Sequence, residues 1–166
     1  MNLRDLEHPR LPYDHQLEEI SLGYTTLHFF SAEEYVAGQI GYSVDPNGNS
    51  LVGENNGDWK QTWGVIGFED LCGDPIFVDI GAAQLPVYTA AHGAGDWNPT
   101  LIADSFEGFR KSLKIVREIA AGRENAVKLE ANPIGVEEAG RALNSIGAIN
   151  PNSDIEFWML LLGIYK

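Results

Sequence analysis

Three short apolar stretches decide the fold: Thr62-Trp63-Gly64-Val65-Ile66-Gly67-Phe68, Pro75-Ile76-Phe77-Val78-Asp79-Ile80 and Leu85-Pro86-Val87-Tyr88-Thr89-Ala90-Ala91. β-Branched and aromatic residues, which favour extended backbone, run through all three, and Gly- and Asp-containing turns separate them. A parallel crossover needs a dozen or more residues, so these short connections predict antiparallel pairing. In the middle stretch Ile76, Val78 and Ile80 share one face, while Phe77 and Asp79 share the other. The expectation is a sheet with one buried face and one partly covered face.

Upstream, Thr25-Thr26-Leu27-His28-Phe29-Phe30 reads as a further strand. Ser31 follows with Glu34 three residues on, the capping-box signature of a helix start. Pro9 and Pro12 open onto a polar stretch from Tyr13 to Leu22 that reads as a short helix stopped by Gly23. From Asp45 to Asp58 the chain is crowded with Asn and Gly, which predicts a long exposed loop or a hairpin tip.

Downstream, Ile102, Phe106, Phe109, Leu113, Val116 and Ala120 alternate steps of four and three, an apolar stripe along a long helix that Gly122 would end. A second amphipathic helix is marked by Val136, Ala139, Leu143 and Ile146, between Pro133 and Gly147. After Asn150-Pro151, a capping box over Ser153 to Glu156 predicts a short terminal helix through Trp158 to Leu162. A central, largely antiparallel sheet flanked by helices is an α+β fold. No repeat, low-complexity tract or linker interrupts it, so residues 1–166 read as one domain.

Composition agrees with a globular chain. It has 166 residues, 44% of them hydrophobic and 21% charged. At that size roughly 70% of the unfolded chain's surface is buried on folding, enough for an unaided core. The longest apolar run, Phe157 to Tyr165, falls well short of the ~20 residues of a membrane span. Met1-Asn2-Leu3-Arg4-Asp5 lacks a basic stretch leading into an apolar one, so no signal peptide is expected, and the expected location is cytoplasmic. Cys72 is the single cysteine, which excludes an intramolecular disulfide and a cysteine-built metal cage.

The formal net charge is −13, and the acids are unevenly placed. Residues 1–104 hold Arg4, Arg10 and Lys60 as their only Lys or Arg, against sixteen acids, whereas residues 105–166 balance at eight of each. Such a field repels nucleic acid and favours encounter with a basic partner. Acidity that merely keeps a protein soluble is the plainer explanation.

Few arrangements invite catalysis. Ser105, His92 and Asp74, Asp79 or Asp104 supply the residue types of a hydrolytic triad, but there is no Gly-x-Ser-x-Gly elbow. Ser105 suits a helix start and His92 a turn. Cys72 sits beside acids, which would raise its thiol pKa, and reads as a small apolar filler. Asp45-Pro46-Asn47-Gly48-Asn49 begins like a calcium loop, yet Ser50 and Asn56 stand where Gly and Glu are required. Gly93-Ala94-Gly95-Asp96-Trp97-Asn98 lacks the third glycine of a dinucleotide-binding turn. Arg110, Lys111, Lys114 and Arg117 lie off the apolar stripe, where Glu107 and Glu118 can pair with them. No catalytic residue, cofactor or metal is expected.

One ordered set of motifs goes further: Trp63 to Phe68, Gly73-Asp74-Pro75-Ile76-Phe77-Val78-Asp79, Leu85-Pro86-Val87-Tyr88, His92-Gly93 with Trp97, and Ile102-Ala103-Asp104-Ser105-Phe106-Glu107-Gly108-Phe109. In order and spacing, about residues 60–115 resemble the core of the SUKH superfamily, which holds bacterial immunity proteins and fungal regulators of cell-wall synthesis. Asn150-Pro151 to Phe157-Trp158 looks like the closing helix of some bacterial members. The loop at 45–58 and the helix pair after residue 122 depart from that pattern.

The resemblance implies a non-enzymatic binding scaffold, in which Trp63, Phe68, Tyr88, Trp97, Phe106 and Phe109 pack sheet against helix. Bacterial members bind and neutralise a partner toxin domain, often a nuclease. The acidity then suggests a basic toxin, with Asp45, Glu54, Asp58, Glu69, Asp70, Asp74 and Asp96 as candidate contacts in turns and loops. A regulatory scaffold with a non-toxin client is the alternative, and a small hydrolase using Ser105 and His92 a remote one. A homodimer is compatible with the sequence and not required by it.

Overall fold

The computed structural model describes residues 17–123 and 132–164. Among these residues six strands form one antiparallel sheet in sequence order: β1 (Ile20–Ser21), β2 (Thr26–Phe29), β3 (Trp63–Glu69), β4 (Pro75–Asp79), β5 (Val87–Thr89) and β6 (Thr100–Ala103). Among the described residues three α-helices follow: α1 (Phe106–Ala121), α2 (Val136–Ile149) and α3 (Glu156–Leu161). The fold is α+β, and the antiparallel pairing expected from the short connections is present at every strand pair.

The two faces of β4 separate as the alternation requires. Ile76 and Val78 face a core closed by Phe109, Leu113 and Val116 of α1, Ile146 of α2 and Trp158 of α3. Phe77 faces the other way, into a smaller cluster with Val65, Trp59 and Ala90, edged by Tyr42, Trp63, Tyr88 and Trp97. The aromatic residues of the SUKH-like motifs are therefore divided. Phe106 and Phe109 lie between sheet and helix, whereas Trp63, Tyr88 and Trp97 lie on the opposite face under a loop. Phe68 stacks on His28, with ring centroids 5.0 Å apart.

That loop, residues 42–59, has little regular structure but is held internally. Leu51 N donates to Ser43 O at 2.8 Å, Gly53 N to Trp59 O at 3.1 Å, and Trp97 N to Gly57 O at 2.8 Å. Gln39, at the end of a single 3₁₀ turn (Ala37–Gln39), joins it to the sheet. Its buried side-chain amide donates to Val65 O at 2.8 Å and accepts from Val65 N at 2.9 Å. A side chain thus supplies the bonds of a neighbouring strand, satisfying backbone groups that would otherwise be buried unpaired.

Several boundaries differ from the sequence reading. The part of the expected Tyr13–Leu22 helix that is described contains strand β1 instead, and Gly23, at φ 92°, turns β1 into β2. Pairing of Ile20 with Leu27 outweighs the local helical composition; Tyr13 to Gln16 lie outside the described residues. Ile102 belongs to β6, not to the long helix: the stripe from Phe106 onward is helical, and Ile102 extends the rhythm by coincidence because it enters the same core.

The Ser31 capping box forms, with Ser31 N donating to Glu34 Oε2 at 2.9 Å and Glu34 N to Ser31 Oγ at 3.3 Å, but it opens only turns and the 3₁₀ segment. The expected box at Ser153 does not form. Ser153 Oγ donates to Asn150 O, Asp154 accepts from Glu156 N, and α3 begins at Glu156. α2 runs through Gly147 to Ile149, and Val136 is 85% exposed rather than on the apolar stripe, which uses Ala139, Ala142 and Ile146.

Asn150, buried at the end of α2, fixes the two longer helices together. Its Nδ2 donates to Ser112 Oγ at 2.9 Å, and its Oδ1 accepts from Asp104 N at 3.2 Å. Gly108 leaves room for it, since a Cβ there would stand 2.3 Å from Asn150 Oδ1. α3 is tied to β6 by Asp154 N to Leu101 O (2.8 Å) and by Trp158 Nε1 to Ile102 O (2.9 Å).

Candidate functional site

The β3–β4 turn is organised by one carboxylate. Glu69 Oε1 accepts from Cys72 N (2.7 Å) and Asp74 N (3.1 Å), and Oε2 accepts from Leu71 N (2.9 Å) and Thr25 Oγ1 (3.0 Å). Both oxygens are thereby saturated. Gly73, at φ 77°, supplies the left-handed residue this tight turn needs. Asp70 accepts from Thr26 N at 2.8 Å, and Asp74 Oδ1 accepts from His92 N at 2.7 Å. Hydrogen bonding from the Thr26 amide, helped by Thr25 and His28, holds the Asp70 carboxyl below its ordinary value.

This turn forms one wall of a groove of about 330 Å³. The opposite wall is α3 with the residues leading into it. The lining includes Leu71 and Leu160, two large apolar side chains left 56% and 51% exposed. Leu27, Phe157 and Leu161 add apolar surface, while Glu69, Asp74, Asp154 and Glu156 supply carboxylates. The described lining residues include no Lys, Arg or His. The groove is thus apolar inside and uniformly negative among its charged groups, which suits an apolar side chain flanked by cations.

Not all of those carboxylates are equally free. Glu69 is committed to its turn. Among the described residues, Asp74 uses only Oδ1, Asp154 uses Oδ1 for Glu156 N, and the Glu156 carboxylate accepts no hydrogen bond. Asp154 and Glu156 were not among the acids singled out in the sequence. They belong to the charge-balanced C-terminal part, and only the docking of α3 against the sheet brings them opposite Asp74.

The other candidate acids lie elsewhere. Asp45 accepts from Asn47 N, Asn49 N and Asn49 Nδ2, all at 2.8 Å, and these bonds, Asn49's foremost, lower its pKa. Asp58 accepts from Asn55 N at 2.8 Å. Both serve the loop that covers the aromatic cluster. Glu54 and Asp96 are exposed on that side, Asp96 beside Gly57. The seven candidate acids are therefore split between the β3–β4 turn and the loop side.

Cys72 is exposed in the groove and is not the buried filler expected from the sequence. Glu69 first, then burial and Asp74, raise its thiol pKa, as the acidic neighbourhood implied. Ser105 caps α1, its Oγ accepting from Gly108 N at 2.9 Å. His92 packs its ring against Tyr42 and Trp97, at centroid distances of 6.2 and 6.1 Å. No hydrogen bond joins Ser105 to His92 among the described residues. Nor do the described residues contain a group of three or more His, Cys, Asp or Glu able to hold a metal ion. No described helix is long and apolar enough to cross a membrane.

Neither a protein-family model, nor a curated protein, nor a solved structure matches this chain.

Proposed function

We propose that this chain is a SUKH-like immunity protein that binds and neutralises a basic toxin domain, such as a nuclease, by stoichiometric protein–protein contact. The observation that supports this reading is the groove between the β3–β4 turn and α3: exposed Leu71 and Leu160 beside carboxylates, with no base among the described lining residues. It offers a partner apolar burial and charge complementarity together, the combination that gives both affinity and fast encounter. Of the residues suggested for a hydrolase, Ser105 serves as the cap of α1, and the His92 ring packs against Tyr42 and Trp97 with no hydrogen bond to Ser105 among the described residues.

Affinity capture of the tagged chain from its native lysate at low and high salt tests the reading. One basic protein, retained at low salt, released at high salt and toxic when expressed without this chain, is the expected result. A captured protein that is not toxic would transfer the chain to the regulatory-scaffold class. Retention of no protein at either salt would count against a binding role.

A further inference from the structure

The groove's chemistry specifies its occupant more closely, on the reading that the chain is a binding protein. We infer that the groove receives a segment of a partner protein in which an apolar side chain is flanked on both sides by Lys or Arg. The apolar side chain would lie between Leu71 and Leu160, which face solvent although they line a concave surface. Ile40, Leu51 and Val136 are exposed as well, but Leu71 and Leu160 line one groove together, where a partner's apolar side chain could cover both. The flanking cations would reach Asp74 on one wall and Asp154 and Glu156 on the other.

Charge selects a cationic polypeptide over the alternatives. Nucleic acid is repelled by the carboxylates of both walls. A second copy of this chain would bring its own groove acids toward the same field. The carboxylate oxygens without a partner among the described residues, on Asp74, Asp154 and Glu156, can accept from a guanidinium or ammonium without unmaking the turn. Glu69 contributes field alone, since its oxygens are saturated by Leu71, Cys72, Asp74 and Thr25.

The test is an NMR titration of the full ¹⁵N-labelled chain with an acetylated, amidated Arg-Phe-Leu-Arg peptide and with its Glu-Phe-Leu-Glu counterpart. Shifts confined to the Thr25, Leu71, Cys72 and Leu160 amides, with the basic peptide only, are expected. Leu160→Asp, at an exposed position, should abolish them, and Asp154→Asn with Glu156→Gln should weaken binding roughly two- to fivefold per charge removed. Thermal midpoints of the variants establish that they fold.

Shifts spread equally over the Asp45–Asp58 loop, equal response to both peptides, or no response would overturn the groove assignment. So would a dilution-dependent change at the same amides without peptide, which would mark a second copy as the occupant. None of these outcomes depends on the capture experiment. A toxic partner that is captured while the peptide fails would leave the immunity reading standing and move its contact face elsewhere.

Discussion

On one side of the sheet, Phe109, Leu113, Val116 and Trp158 interlock as parts of helices. On the other, Trp59, Phe77 and Ala90 are sealed by a loop with almost no regular structure. Both sides exclude water from the same strand, β4, yet they are held differently. The helical side depends on many apolar contacts and on Asn150, which binds α1 to α2. The loop side depends on a few polar ties, Gln39 to Val65 and Gly57 to Trp97, and on aromatic edges such as Trp59 against Trp63 at 5.3 Å. The helical side should therefore set global stability, and the loop side should be able to open on its own.

The largest expected effect is on the helical side. Phe109→Ala removes a fully buried ring and should cost about 3–5 kcal/mol, lowering the denaturation midpoint for every probe together. Gln39→Ala should cost about 1–3 kcal/mol by orphaning buried backbone groups of Val65. Its signature is different: fluorescence from Trp59, Trp63 and Trp97 should change before the helical circular dichroism does. Coincident transitions would show that the two sides form one cooperative unit. Ser105→Ala removes the cap of α1 and should cost about 1 kcal/mol, seen as a lowered midpoint with no preferential change at the aromatic cluster.

pH separates the faces more gently. Tyr42 and Tyr88 both edge the aromatic cluster, and burial first, then Asp74 or Asp79 respectively, raises their phenol pKa values. A raised folded value contributes stability that is complete below the unfolded pKa, about 10, and is lost as pH climbs through the folded value. Alkaline titration should thus loosen the loop side first, and Tyr42→Phe should blunt that loss. If denaturation midpoints of wild type and Tyr42→Phe fall in parallel above about pH 10, Tyr42 has no part in it.

The difference between the faces also explains what was legible in the sequence. Alternation in Ile76-Phe77-Val78 assigned the two sides of β4 correctly, and the stripe from Phe106 to Val116 marked α1. These are local periodicities, and packing simply obeyed them. β1 and β6 were missed because a two-residue and a four-residue strand have too little pattern of their own, and their partners in β2 and β5 define them.

The groove was half visible. Glu69, Asp70 and Asp74 were marked as turn acids, but Asp154, Glu156 and Leu160 come from a stretch some eighty residues away. Nothing in their own neighbourhood says what they will face. The one available signal was a leucine next to an acid-rich helix start, a combination common on solvated helices. Asp45, before Pro46, binds its own turn amides as its position suggests, whereas Asp70 and Asp74 accept from Thr26 N and His92 N, partners that only the folded sheet brings near.

Asp154 and Glu156 on the groove, and Glu54 and Asp96 on the loop side, provide matched pairs of exposed acids. The most direct measurement is the association rate of the captured basic partner with Asp154→Asn/Glu156→Gln and with Glu54→Gln/Asp96→Asn, at low and high salt. The groove pair should slow association at low salt several times more than the loop pair, and the difference should fade at high salt. Equal rates for the two variants, or a larger loss from the loop pair, would contradict the groove as the binding site.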